Sequence, residues 1–339
     1  MRIAILGTGL IGASVGLAIR ARQPDAVVVG YDREVRFAAA AHRAGAITEV
    51  ANSPVEAVRD ADVVVIATPV LAIEKMLEAI AGAVKPDAVI TDTGSTKAQV
   101  MDWARKHLGE HKGFVGSHPM AGKTESGPMA ADAALFEGAR WVIVPPVTAS
   151  ERSIDSVTNL ATLLGATPMI MDAAEHDAYV AAISHMPMMA STALFTVARA
   201  SEAWPELSLL AAGGFQGMSR LAGTDPAMAY DIAVTNRANI AHWIGRYIVA
   251  LEELRRRLVD SEKDDDLYRV IAATELEHIK YSAGKVGREE QTNERIDSAT
   301  DMMQDFIAGG WLREKLNEAK LEAGRRVKED DNRIGRRDI

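Results

Sequence analysis

At 339 residues the chain exceeds the usual span of one hydrophobic core, so two domains with a cleft between them are expected. Its 48% apolar and 25% charged residues make a globular composition, and a formal net charge of −9 with no extended basic run before the C-terminal tail argues against a nucleic-acid partner. Cysteine is absent, which excludes disulfides, thiolate metal sites and a cysteine nucleophile and accords with a reducing, cytoplasmic location.

Residues 1–6 begin like a secretory leader, with Arg2 followed by apolar residues, but Gly7, Gly9 and Gly12 break the run and a buried first strand is expected instead. Up to about residue 145, short β-branched runs alternate with alanine-rich segments of helical period. They predict strands over 2–6, 27–31, 62–67, 88–91, 113–116 and 141–144, and helices over 11–22, 34–44, 72–81 and 97–107. A helix over 151–164 and a strand over 167–171 complete the pattern. The first domain, residues 1–171, is therefore read as an α/β Rossmann domain, a doubly wound and mainly parallel sheet.

Beyond residue 171 strands become scarce. Helical periodicity over 173–200, 205–210, 226–259 and 265–279, with Pro187, Pro205 and Pro226 as kinks or starts, predicts an all-α second domain over residues 172–323. The interrupted apolar stretch 179–200 comes nearest to a membrane span and is read as a buried helix, so no membrane association is expected. The charged segment 260–266 is read as a solvated connection, no metal site is expected, and residues 324–339 are read as a polar tail. Trp311 and a helical run to Lys320 are assigned to extra helices.

Gly7-Thr8-Gly9-Leu10-Ile11-Gly12 matches the dinucleotide fingerprint, and its context makes the match specific: it follows a strand, opens a helix, and is trailed by Asp32 at the end of the next strand. Gly7 permits the tight turn, Gly9 the approach of the backbone to a pyrophosphate, and Gly12 close packing of helix on sheet. The N–H groups opening the helix at Leu10 and Ile11 attract the phosphates. Asp32 suits the ribose hydroxyls of NAD and repels the extra phosphate of NADP. The adjacent Arg33 leaves NADP open, and is equally readable as a solvated charge at a helix start. Thr68 and Pro69, after the third predicted strand, and Thr93, after the fourth, lie at carboxyl ends that face a nicotinamide.

The same end of the sheet carries Asp92-Thr93-Gly94-Ser95-Thr96-Lys97 and Gly116-Ser117-His118-Pro119-Met120-Ala121-Gly122, placing His118 at the crevice as an acid/base candidate. Later come His176-Asp177, Ser184-His185-Met186-Pro187 and the segment from Gly214 to Gly223 containing Arg220. Nine residues separate His176 from His185, two and a half α-helical turns, so the two histidines are not expected to share a helix face, and His185 is favoured as the one lining the pocket.

Together the fingerprint, the DTGSTK, GSHPMAG and SHMP segments, in this order over residues 1–250, resemble the prephenate and arogenate dehydrogenases of tyrosine biosynthesis. The resemblance implies an oxidative decarboxylation of a cyclohexadienol with hydride transfer to NAD. Carried onto this chain, it makes His118 the acceptor of the ring hydroxyl proton, with a neutral imidazole at working pH, and gives Ser95 the orienting of that hydroxyl and of His118. Ser95 is alternatively the cap of the helix beginning near Thr96. Arg220 matches the arginine that binds a substrate carboxylate.

Lys123 and Thr124 are further substrate candidates, as readily read as a solvated loop. Met188 stands where many prephenate-specific members have a histidine, which leaves open both a role in side-chain preference and plain core filling. The resemblance further implies a homodimer formed through the helical domain. A β-hydroxyacid-type dehydrogenase and a non-catalytic NAD-binding sensor are the competing readings. The first lacks its lysine segment here, and the second needs neither His118 nor Arg220.

Overall fold

The computed structural model describes residues 1–284 except 110, 112 and 124, so Thr124, Trp311, the run to Lys320 and the tail over 324–339 lie outside the described residues. Packing divides the chain into two units, Met1–Leu251 and Glu252–Ile339.

The first unit opens with alternating strands and helices: β1 Arg2–Leu6, α1 Leu10–Arg22, β2 Val27–Tyr31, α2 Val35–Arg43, β3 Glu49–Val50, α3 Pro54–Val58, β4 Val63–Ile66, α4 Val70–Ile80, β5 Val89–Asp92, α5 Ala98–Leu108, β6 Phe114–Pro119, β7 Arg140–Val144, α6 Glu151–Leu163 and β8 Thr167–Ile170. The sheet order is β3-β2-β1-β4-β5-β6-β7-β8. Every pair is parallel except β6 with β7, where Gly116 lies opposite Val144 and Pro119 opposite Trp141. The chain reverses its direction of progress between β1 and β4, which creates the switch-point crevice of a doubly wound sheet at their carboxyl ends.

Continuous apolar strands are needed because both faces of this sheet are covered. In β1, Ile3 and Ile5 join one buried cluster, with Val15 and Ile19 of α1 and Val157 and Leu160 of α6. Ala4 and Leu6 point the other way into a second, with Ile73 and Leu77 of α4 and Val100 and Trp103 of α5. The two faces thus follow the period of the strand.

After β8 the first unit is helical, as the sequence predicts. It contains α7 Ala173–Val180, a π-helical turn over Ala181–His185, α8 Met186–Arg199, α9 Trp204–Leu210, α10 Gly213–Ser219, a 3-10 turn Arg220–Gly223, α11 Pro226–Thr235 and α12 Arg237–Val259, whose last residues belong to the second unit. Asp172 and Asp225 cap α7 and α11 with their side chains, each accepting two backbone N–H groups. The second unit's described residues continue through a 3-10 turn, Ser261–Lys263, into α13 Asp264–Ser282, so the connection predicted over 260–266 is shorter than expected and its last three residues form the first turn of α13.

One expectation changes. Within α8 only Met188 and Ser191 are buried, so the stretch read as a buried helix is only partly buried. The continuous run Ala173–Arg199, 27 residues long, contains an 18-residue window apolar enough for a membrane span, with a mean hydropathy of 1.4. Its residues His176, Asp177 and His185 are nevertheless buried in a hydrogen-bonded network with the sheet and with α11–α12, a use of polar groups that belongs to a packed protein core rather than a lipid-facing surface.

Candidate active site

The fingerprint forms the predicted turn between β1 and α1. Gly7 has φ +97°, and a Cβ there would sit 2.5 Å from the Ala67 carbonyl oxygen; at Gly12 a Cβ would meet the Gly7 carbonyl oxygen at 1.9 Å. At Gly9, by contrast, the space beside the backbone is open for 4 Å around a would-be Cβ, the clearance a pyrophosphate needs. Leu10 and Ile11 begin α1, which has no side-chain cap of its own, so its first N–H groups remain for an anion.

Asp32 follows β2. Its Oδ2 accepts the Thr8 backbone N–H at 2.7 Å and its Oδ1 that of Glu34 at 2.9 Å, so the turn holds the carboxylate at the crevice; Arg33 beside it is exposed. Thr68, just after β4, has a buried Oγ1 with no partner among the described residues, a donor and acceptor left for a ligand, and Pro69 is the N-cap of α4. Thr93 anchors the end of β5 through its N–H to Ile66 O at 3.0 Å. An open glycine face, an oriented acidic side chain and an orphaned hydroxyl fit a dinucleotide.

Beyond β5 the loop to α5 holds a fully buried ion pair. Lys97 Nζ bonds Asp92 Oδ2 and donates to the Ser117 carbonyl at 2.7 Å, while Asp92 Oδ1 accepts the Ser117 N–H at 3.1 Å. Burial pushes the Lys97 ammonium down from its ordinary range and the Asp92 charge opposes that. Together these bonds clamp β6 to β5 one residue before His118. Ser95, half-buried in the same loop, makes no side-chain hydrogen bond among the described residues and does not cap α5.

The α5 cap comes from the helical segment instead. Asp177 accepts the N–H of Lys97 at 2.7 Å through Oδ1 and that of Ala98 at 2.9 Å through Oδ2. Its neighbour His176, fully buried, bonds Asp177 Oδ1 through Nδ1 at 2.8 Å and His118 Nδ1 through Nε2 at 2.9 Å. The two rings meet edge to face, with centroids 5.1 Å apart. Burial drives the His118 pKa well below 6.5, helped by His176, Lys97 and His185, so the ring is a neutral acceptor at neutral pH.

His185 lies in the same network. Asn236, between α11 and α12, donates through Nδ2 to Asp177 O at 2.7 Å and to His185 Nδ1 at 3.2 Å, and its Oδ1 takes an N–H from Asn239 at 2.9 Å, which sets the amide's orientation. His185 Nδ1 is therefore an acceptor. Nε2 carries the proton and is buried without a partner among the described residues, a donor left for a ligand. Burial lowers the His185 pKa to about 4, with Asp177 opposing and His176 assisting.

Both histidines thus reach one network, contrary to the spacing argument. The π turn Ala181–His185 between them winds more residues per turn than an α-helix and changes the phase at which His185 emerges. His176, passed over in the sequence, is the one that touches His118. Its signal was the adjacent carboxylate of Asp177, readable only once the fold brings α7 to β6.

Of the remaining candidates, Met188 and Arg220 sit further along α8 to α11 and Lys123 lies in the loop between β6 and β7. Met188 is buried with Ala181, Ile232 and Ile240, and Leu221 packs on that cluster. Arg220, exposed and without an ion pair among the described residues, precedes Leu221 in a 3-10 turn that Ser191 pins by accepting the Ala222 N–H at 2.8 Å. Lys123 pairs with Asp132 at 3.0 Å on the surface.

Two family profiles match the chain: "Prephenate dehydrogenase, nucleotide-binding domain" over residues 15–170 and "Prephenate dehydrogenase, dimerization domain" over 172–273. The prephenate dehydrogenase of Bacillus subtilis (strain 168) is 35% identical over 269 residues, covering 79% of this chain and 72% of that protein. The cyclohexadienyl dehydrogenase of Zymomonas mobilis is 32% identical over 266 residues, 77% of this chain and 90% of that protein. Among solved structures, A. aeolicus prephenate dehydrogenase with hydroxyphenyl propionate and NAD+ aligns with a TM-score of 0.77 at 25% identity, covering 83% of this chain and 98% of that one. Synechocystis arogenate dehydrogenase aligns at 0.70 and 27% identity, covering 83% and 100%.

Proposed function

This chain belongs to the prephenate dehydrogenase family, an NAD-dependent oxidoreductase, and from that premise we propose that it converts prephenate or L-arogenate with His118 as the proton acceptor. The observation that carries the assignment is His118 itself, at the carboxyl end of β6, held neutral by burial and hydrogen-bonded from behind by His176. Bound nicotinamide supplies the hydride acceptor. His118 takes the proton of the ring hydroxyl as the hydride leaves the same carbon. The ring carboxylate departs as carbon dioxide, its bonding electrons close the aromatic ring, and the ring oxygen takes the proton back from His118, giving 4-hydroxyphenylpyruvate from prephenate or tyrosine from arogenate.

Ser95 is left free to orient the hydroxyl, and the unpaired Nε2–H of His185 and the unpaired guanidinium of Arg220 are left to bind substrate oxygens. The buried Met188 lies under the Arg220 turn, which supports an influence on the substrate side chain through the position of that turn. Thr68, Thr93, Asp32 and the Gly7–Gly12 turn hold the cofactor. A homodimer through the helical part of the first unit is supported by the dimerization profile and by exposed apolar residues, among them Leu209, Leu210, Met218 and Tyr230. The absence of cysteine supports a cytoplasmic location.

The test is kcat/KM for prephenate and for arogenate, each with NAD and NADP, followed by nicotinamide absorbance. Turnover of either dienol supports the proposal; none of the four pairs turning over, with NAD shown to bind, overturns it.

A further inference from the structure

The hydrogen bonds behind His118 fix which of its nitrogens carries the proton. Asp177 already accepts two backbone N–H groups, which can only donate, so its carboxylate acts as acceptor toward His176 as well. His176 therefore donates through Nδ1, and as a neutral ring presents a bare lone pair at Nε2. Among the described residues the group facing that lone pair is His118 Nδ1, 2.9 Å away, which must carry the hydrogen. His118 is left with Nε2 unprotonated, on the side of the ring away from His176.

We propose that His176 and Asp177 are positioning residues for His118: they lock it in the Nδ1–H tautomer, leave Nε2 as the proton-accepting atom, and offset the positive charge that arises when Nε2 is protonated. The proposal deepens the assignment of His118 as base and rests on it. The proton balance is closed within the chain. The substrate hydroxyl proton arrives at Nε2 and returns from there to the ring oxygen once the ring is aromatic; in between, the Nδ1 proton of His118 stays in its bond to His176 or shifts onto His176 Nε2, where the charge lies against Asp177. The other charged and titratable groups near the ring are Lys97, neutralised by Asp92, and His185, held by Asn236. The Asp177 carboxylate is thus the anion reached through the His176 ring, the arrangement by which a carboxylate selects a tautomer and stabilises an imidazolium.

This reading separates the pair from a purely structural role. A residue that only holds helix to strand would change stability and leave the proton distribution on His118 untouched.

The first measurement is the ring nitrogen chemical shifts of 15N-histidine-labelled wild-type protein with NAD bound at neutral pH, His118 being assigned by its loss in His118→Asn. The proposal expects a protonated Nδ1 and a bare Nε2 on His118, with His176 neutral; a His118 ring carrying its proton on Nε2, or a doubly protonated His176, overturns it. The second is kinetics of Asp177→Asn, which keeps the size and one acceptor oxygen. Its kcat should fall by about 10²- to 10⁴-fold with KM and NAD affinity within a few-fold of wild type. A folded Asp177→Asn protein of unchanged kcat overturns the proposal. Retained turnover in His118→Asn would instead refute the base assignment beneath it, whatever the tautomer.

Discussion

Asp177 caps a helix that begins far away in sequence: its Oδ1 accepts the backbone N–H of Lys97 at 2.7 Å across a separation of 80 residues. Helix α5 supplies no side-chain cap of its own, so the helical segment completes the N-terminus of a Rossmann helix and draws α7 onto the end of β6. Next to it Thr96 and Thr235 share a 2.9 Å hydroxyl contact, and Asp231 accepts the Leu71 N–H at 3.0 Å. The contacts that place His176 behind His118 are therefore the ones that join helices to sheet.

Asp177→Ala should be more destabilising than loss of an ordinary cap. Asp172, an exposed cap of its own helix, is expected to cost about 1 kcal/mol when replaced by alanine. Asp177 is buried and serves two backbone donors and a histidine, so its loss should cost about 2–4 kcal/mol. Paired urea melts of the two variants check the order, and equal destabilisation would refute the long-range cap.

The Lys97–Asp92 pair gives a second stability prediction. Lys97→Met leaves the Asp92 carboxylate buried beside the Ser117 backbone without its cation, at a cost of about 3–5 kcal/mol. Adding Asp92→Asn removes the stranded charge and should recover part of that loss. A double-mutant cycle measures the coupling, and strict additivity would show that the pair is not a unit.

Stability should also depend on pH through His185. Its folded pKa of about 4 lies below the ordinary 6.5, so the unfolded chain binds the proton first as pH falls. The contribution is fully present above about pH 6.5 and is lost progressively as pH drops toward 4, by up to about 3 kcal/mol. Physically, protonating Nδ1 would oppose the Asn236 N–H that points at it. Melting temperatures across this range should fall less steeply in His185→Gln than in wild type.

The His118 shift has the same sign and a kinetic readout. Because burial holds its pKa well below 6.5, the base is unprotonated at neutral pH, and kcat/KM should lose its acidic limb well under pH 6.5. A limb centred at or above 6.5 in the pH profile would contradict the half-buried, neutral ring.

Much of this architecture was legible in the sequence because it rests on local signals. Strand β1 and strand β2 fall where the β-branched runs lie, and the glycine turn sits between β1 and α1. The two-residue strand β3 and the five-residue helix α3 were missed because so few residues carry no period. The antiparallel entry of β7 was also hidden, since pairing direction leaves no mark on a buried apolar strand. At the site, the motifs located His118, Ser95 and Arg220, but the contact from His176 depends on a π turn and a cap made across the fold, neither of which has a local signature. The spacing rule that set His176 against His185 assumed uniform α geometry through residues that do not have it.

The central claim is that His118 takes the substrate proton, and its most direct test is the rate of nicotinamide reduction by wild type and His118→Asn with saturating prephenate or arogenate and NAD. Asparagine keeps a polar side chain of similar reach but cannot accept a proton. The account predicts a loss of about 10²- to 10⁴-fold in kcat with NAD binding and melting temperature preserved. A His118→Asn protein that turns over within a few-fold of wild type would contradict it.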